Sequence, residues 1–301
     1  MALGTNQVTV TTAATFIPEV WSDEIVAAYK KNLVAANIIK KMSFKGKKGD
    51  TVHIPAPTRG DASAKAANTQ VTLIAATEGE KTVSINQHWE YSRLIEDIVE
   101  AQALSSLRQF YTDDAGYALA KKVDSTLIQL GRSTNGGDGT AGYTGAYSGA
   151  DGTTAYTGTA GALTDAAIRR TIQRLDDNDV PMDGRFLIVP PSTRNTLMGI
   201  ARFTEQAFVG ETGGGNTIRN GEVGNVYGIP VFVTSNADAA TDGDRICLLG
   251  HKEFAVLVEQ MGVRTQTQYK QEYLGTLFTA DVLFGVGELR DGSAIALAVP
   301  A

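Results

Sequence analysis

Hydrophobic positions in this chain change their spacing several times, and each change marks an element. Ile17, Val20, Trp21, Ile25 and Tyr29 fall near one face of a short helix, and Pro18 suits its first turn. After Lys40 the chain becomes basic and Gly-punctuated (KKMSFKGKKGD), then alternates, with Val52, Ile54 and Ala56 against Thr51, His53 and Pro55. That alternation predicts a strand, which its prolines confine to an edge. Residues 58–69 are small and polar, as a hairpin tip would be. A return strand is expected from Lys81 to Tyr91, with Val83, Ile85, Trp89 and Tyr91 on alternate positions. The stretch 45–91 therefore reads as a long two-stranded excursion with little apolar content to fold alone.

The strongest helical pattern comes next. Leu104, Leu107, Tyr111, Ala115, Ala118, Leu119, Val123, Leu127 and Leu130 recur at three- and four-residue steps, and Gly131 is a stop. From Glu96 to Leu130 such a helix would be about 50 Å long at 1.5 Å per residue, which implies an extended molecule. A coiled coil is weakly supported, because Gly116 interrupts the stripe. Residues 132–162 hold nine Gly, seven Thr, six Ala and three Tyr (Tyr143, Tyr147, Tyr156). They read as an exposed insertion packed loosely by its tyrosines.

The second half alternates helix and strand. Thr164 can cap a helix carrying Ile168, Ile172 and Leu175, Phe186–Val189 is a short buried strand, and Pro191 opens a helix through Leu197. A Gly-rich loop follows from Thr204 to Asn220. Strands are then expected at Val231–Thr234, Arg245–Leu249, Phe254–Val258, Val263–Tyr269, Thr276–Leu283 and Ala294–Val299. The fold class is α+β with mixed sheets.

Charge changes the picture. The 301 residues carry a net −6 with 43% hydrophobic content, enough for one large domain or two interlocked ones. The nine Lys/Arg and two acids of residues 30–65 make that segment +7, leaving −13 elsewhere. It is either a solvated basic loop or an arm meant for an acidic surface on a neighbouring copy. The acidic total argues against a protein that coats nucleic acid through a basic surface. The single Cys247 permits no internal disulfide and fits a reducing cytoplasm. The Thr-rich start does not read as a signal peptide, and no apolar run approaches the roughly 18 residues needed to span a membrane.

Catalytic patterns are missing. His53, His88 and His251 form no HExxH motif or Cys/His cluster, and His53 and His88 read as structural. Cys247, within ICLL, packs as a small hydrophobe. There is no GxSxG and no phosphate loop. An EF-hand begun at Asp179 would have Pro181 and Pro190 at ligand positions. The Gly136-Gly137-Asp138-Gly139 stretch has Ala141 where a β-roll needs aspartate. No cofactor, metal or catalytic residue is expected.

The order of elements resembles the major capsid proteins of tailed double-stranded-DNA bacteriophages, the Hong Kong 97 fold. GDTVHIPAP (49–57) is similar to the outgoing strand of that family's extended loop, and KTVSINQHWEYSRLIEDI (81–98) to its return into the spine helix. RFLIVPPSTRNTL (185–197), NGEVGNVYGIPVFVTSN (220–236) and HKEFAVLVEQ (251–260) resemble axial-domain steps and the return to the periphery. The resemblance covers about residues 16–300.

It implies an N-terminal arm with short helix (1–44), extended loop (45–91), spine helix (92–131), surface insertion (132–162), axial domain (163–250) and return strands (251–301). It implies inter-subunit contacts through Lys40, Lys41, Lys45, Lys47, Lys48, Arg59 and Lys65, a capsomer-centre loop with Phe203, Phe208, Gly213, Gly214 and Gly215, and a turn shaped by Gly221, Gly224, Gly228 and Pro230. Function would be self-assembly as hexamers and pentamers into an icosahedral shell around phage DNA, assembled in the host bacterial cytoplasm. Expected partners are further copies, a scaffolding protein, a portal protein, a decoration or cement protein and non-specifically held DNA, with no membrane. Two rival readings are a cellular nanocompartment shell enclosing a cargo protein, and a carboxylate-dependent hydrolase.

Overall fold

The computed structural model describes residues 33–57, 60–73, 78–97, 107–200 and 224–301. The predicted helix at 17–29, Arg59, the loop Thr204–Asn220 with Phe203, Phe208, Gly213, Gly214 and Gly215, and Gly221 lie outside the described residues. Among the described residues three sheets carry the fold. The first joins β1 (Lys40–Ser43), β10 (Ala255–Lys270), β11 (Gly275–Glu288) and β4 (Gln87–Glu96), in that order. The second joins β5 (Tyr147–Ser148), β12 (Ala294–Val299), β9 (Arg245–His251), β6 (Arg185–Val189), β8 (Ile229–Val233) and β7 (Asn225–Val226). The third is the pair β2 (Thr51–Pro57) and β3 (Glu78–Ser84).

Alternation along β11 decides how the first sheet is covered. Phe278, Ala280, Val282 and Phe284 point to one face. There they join Ala115, Leu119, Leu127 and Ile128 of helix α2 (Leu107–Gln129) and the one-turn helix α1 (Ala35–Ile38) in one core. On the opposite face Val256 and Val258 receive Val83 and Ile85, flanked by Met42, Phe44, Val52 and Ile54. The hairpin backbone comes so close there that a Cβ on Gly285 would lie 2.6 Å from the Ser84 carbonyl oxygen. A side chain at that position would push the hairpin off the sheet.

The second sheet is also covered on both faces. Helix α3 (Asp165–Asp177), capped by the Thr164 hydroxyl accepting from the Ala167 N–H, packs Ile168 and Leu175 on Leu187, Leu249, Ile295 and Leu297. Helix α4 (Pro191–Met198) adds Leu197. Cys247 lies in this core, and burial pushes its thiol up to about 12.

Four expectations need correction. Residues 132–162 are not a loosely packed exposed insertion. Tyr143 is 1% exposed, and with Ala146 and Tyr156 it packs on Ile246, Ala296 and Ala298 of the second sheet. Its hydroxyl donates to Asp238 Oδ2 (2.6 Å), which Arg132 also grips through Nε at 2.7 Å. The few aromatic rings find buried partners, and the surrounding glycines let the backbone follow them in. Second, Glu96 itself is strand, and helix is first seen at Asp97, with residues 98–106 outside those described. The alternation of Trp89, Tyr91 and Arg93 continues as strand through Glu96, which pairs with Gly275, and the described helix spans Leu107–Gln129. Third, the two strands expected at 254–258 and 263–269 are one strand, whose register shifts near Met261 conceal its continuity. Fourth, the basic stretch after Lys40 is not loop throughout, because Lys40–Ser43 runs parallel to Val256–Glu259.

Candidate assembly surface

The paired strands β2 and β3 bond only to each other among the described residues, from Thr51–Ser84 to Pro57–Glu78. Only their base is packed, through Val52, Ile54 and Val83. Beyond it, Ala56, Pro57 and residues 78–82 are exposed, and so are 60–73, with Val71 60% and Leu73 88% exposed. His53 Nδ1 lies 3.0 Å from Glu80 Oε2 across the pair, an exposed contact that adds little.

Lysines gather beside this base on the flank of β10. Lys40 Nζ is 3.9 Å from Glu253 Oε1, and Lys45 Nζ is 3.8 Å from Glu259 Oε2. Lys47 stands over the Phe44 ring at 5.4 Å, while Gln260 Nε2 donates to the Lys47 and Gly49 carbonyls. Lys41 and Lys48 are exposed nearby, and Lys65 is exposed in the hairpin's far loop. The structure thus gathers Lys40, Lys41, Lys45, Lys47 and Lys48, sets Lys65 apart, and partly satisfies Lys40 and Lys45 within the chain.

The turn residues separate in role. Tyr227 and Gly228, both with positive φ, make the two-residue turn between β7 and β8, where Asn225 pairs with Pro230. The Gly224 carbonyl accepts from the Val231 N–H.

Several polar groups escaped the sequence reading. Asp281 is buried on β11 and takes a bidentate bond from Arg264 (3.0 and 2.8 Å), with exposed His88 at 3.3 Å. The Arg264 bond chiefly holds its carboxyl below the usual range. On the helix-facing side, Lys122 sits 4.0 Å over the Trp89 ring, and Tyr91 donates to Asp114. Buried Asp124 accepts from Ala35 N (2.7 Å), Ala36 N (3.3 Å) and Asn236 Nδ2 (3.0 Å). A signal for Asp124 did exist, since it is an acid beside the apolar stripe Ala115–Leu119–Val123–Leu127.

Among the described residues no group of three or more His, Cys, Asp or Glu is arranged to hold a metal. No described helix is long and apolar enough to cross a membrane.

Comparison with known proteins places this geometry. A family model described as phage capsid protein matches residues 90–296. A solved structure from Mycobacterium phage Che8 aligns with a TM-score of 0.76 at 22% identity, covering 94% of this chain and 97% of that one. The capsid of cyanophage P-SCSP1u gives 0.76 at 21% identity, covering 99% and 96%. The capsid of a native GTA particle gives 0.66 at 12% identity, covering 99% and 100%. No curated protein sequence matches. The α+β architecture is that of the Hong Kong 97-type capsid, and the role is structural, in the virion shell. The chain belongs to the phage capsid protein family.

Proposed function

We propose that this capsid protein closes into an icosahedral shell of hexamers and pentamers around double-stranded DNA, each subunit laying its hairpin 51–84 on a neighbour. The carrying observation is the hairpin itself, two strands packed only at their base with Val71 and Leu73 exposed beyond it. A two-stranded hairpin is marginal alone in water, so a neighbouring surface is the natural cover. Ring contacts of this head-to-tail kind repeat around each axis. The lysines beside the base steer the approach, since the +7 segment faces a chain that is −13 elsewhere. An acidic subunit has no reason to grip DNA tightly, which leaves the genome free to be packed. A scaffolding protein, a portal protein at one vertex and a decoration protein are the further partners of this reading.

The test is charge reversal of Lys45, Lys47 and Lys48 to Glu. Exposed pairs are worth ~0–1 kcal/mol, so circular dichroism should show a folded subunit. Electron microscopy should show few or misformed shells. Normal shells at normal yield would remove the lysines from assembly.

A further inference from the structure

The turn beyond helix α2 holds an Asn-Gly pair, Asn135-Gly136, whose chemistry shell formation does not use. Both residues have positive φ (56° and 74°), a conformation that asparagine tolerates and glycine adopts freely. The turn thus favours the dipeptide that deamidates most easily, because glycine has no side chain to shield its backbone nitrogen. In that reaction the Gly136 nitrogen, its proton lost to hydroxide, attacks Asn135 Cγ. A C–N bond forms, the bond from Cγ to the side-chain nitrogen breaks, and that nitrogen takes a proton from water and leaves as ammonia. Water then opens the resulting succinimide to aspartate, or to isoaspartate with an extra carbon in the main chain.

Folding occupies both reacting groups. The two Nδ2 protons of Asn135 are donated to the Gly145 carbonyl (2.8 Å) and the Tyr147 hydroxyl (3.0 Å). The Gly136 N–H is donated to both oxygens of Asp291 (3.0 and 3.1 Å). A carboxylate beside that N–H opposes removal of its proton. The products fit badly. An aspartate at 135 has no N–H for the half-buried Gly145 carbonyl, so two oxygens would face each other there. An isoaspartate lengthens a backbone already pressed on Gly145, where a Cβ would lie 2.8 Å from Gly137 N and 2.9 Å from the Asn135 carbonyl oxygen. These contacts anchor the segment that buries Tyr143 on the second sheet.

We propose that Asn135-Gly136 is a deamidation site that the fold guards, and that it acts as a timer against chains left unfolded. A chain that folds promptly keeps its amide. A chain that lingers unfolded loses it, and with it the bond that lets the 132–162 segment return to its place. The site lies within one chain, so it can fail while the shell reading stands, and the reverse.

The test incubates the full-length chain in mildly alkaline buffer, either folded or unfolded in guanidinium chloride, and maps isoaspartate by peptide mass spectrometry. Asn220-Gly221, the only other Asn-Gly in the sequence, is the reference for the unfolded chain. In denaturant the two sites should convert at similar rates. In the folded subunit Asn135 should convert at least about tenfold more slowly than in denaturant, because attack must await local opening. Asp291→Ala frees the Gly136 N–H and should speed conversion in the folded subunit. If that variant does not fold, the wild-type comparison decides alone. After denaturant is removed, size-exclusion chromatography separates refolded from failed chains, and isoaspartate at 135 should be concentrated in the failed fraction. Asn135→Asp should melt below wild type or fail to fold. Equal conversion of Asn135 in folded and unfolded chains would overturn the guard. Refolded chains carrying as much isoaspartate at 135 as failed ones, or an Asn135→Asp subunit as stable as wild type, would overturn the timer.

Discussion

Replacing Asp124 should unseat the start of the described chain from its long helix. The Asp124 carboxylate is buried and serves three donors on two segments far away in sequence, the Ala35 and Ala36 amides and the Asn236 side chain. Asp124→Ala strands all three donors. A buried donor left unpaired costs ~1–3 kcal/mol. The 3.3 Å bond is weak and Ala36 only part-buried, so two donors dominate and the expected loss is about 3–5 kcal/mol. Asp124→Asn keeps one acceptor for the amides but turns an NH2 group toward the NH2 of Asn236. It should lose about 2 kcal/mol. Adding Asn236→Asp reverses that second bond, so the exchanged pair Asp124→Asn with Asn236→Asp should recover most of this loss. Urea unfolding of the unassembled subunit reads all three. A loss under about 1 kcal/mol for Asp124→Ala would refute the reasoning. So would an exchanged pair no more stable than Asp124→Asn, because the bond would then not be what matters.

Other expectations rest on separate elements. A Cβ on Gly116 would meet nothing within 4 Å, so Gly116→Ala should stabilise the subunit by about 0.5–1 kcal/mol in the same titration. Cys247 is fully buried with its thiol pushed up to about 12, so Ellman's reagent should leave it unmodified in native subunits and label it on denaturation. Asp281 is held below its usual range mainly by Arg264. Its contribution is present above the unfolded value of ~3.9 and lost as pH falls through the folded one. Asp281→Asn should therefore lose about 1.5–3 kcal/mol near neutrality and less in acid, as chemical unfolding at the two pH values would show. Tyr143→Phe should cost about 1–3 kcal/mol in the same assay, since it removes the buried bond to Asp238.

Elements with one unbroken period were legible in the sequence. The Thr164 cap, the run Arg185–Val189, Pro191 opening α4 and Ala294–Val299 fall where spacing and turn chemistry place them. The failures share a cause. Residues 85–96 keep a period of two across the break between β3 and β4, so nothing local reports that the chain changes sheets there. Residues 132–162 look like linker by composition, and only their distant partners Asp238, Asp244 and Ala298 make them core. The lysines were visible as a charge run, but their neighbours Glu253 and Glu259 lie more than two hundred positions away. Asp281 with Arg264 is a pair that only the fold creates.

The placement of the last strands governs when a subunit can exist at all. Lys40–Ser43 waits for Val256–Glu259, the edge strand Gln87–Glu96 waits for Gly275–Phe284, and Tyr147–Ser148 waits for Leu297 and Ala298. A nascent chain leaves the ribosome N-terminus first, so its hairpin and lysines emerge long before any surface that could hold them in place. Both large sheets close only when the final fifty or so residues are free, and such long-range closure is slow. Until those residues are free, β1, β4 and β5 have no partner strand, while β6, β8 and β9 can already pair, so the second sheet can start to form before the first.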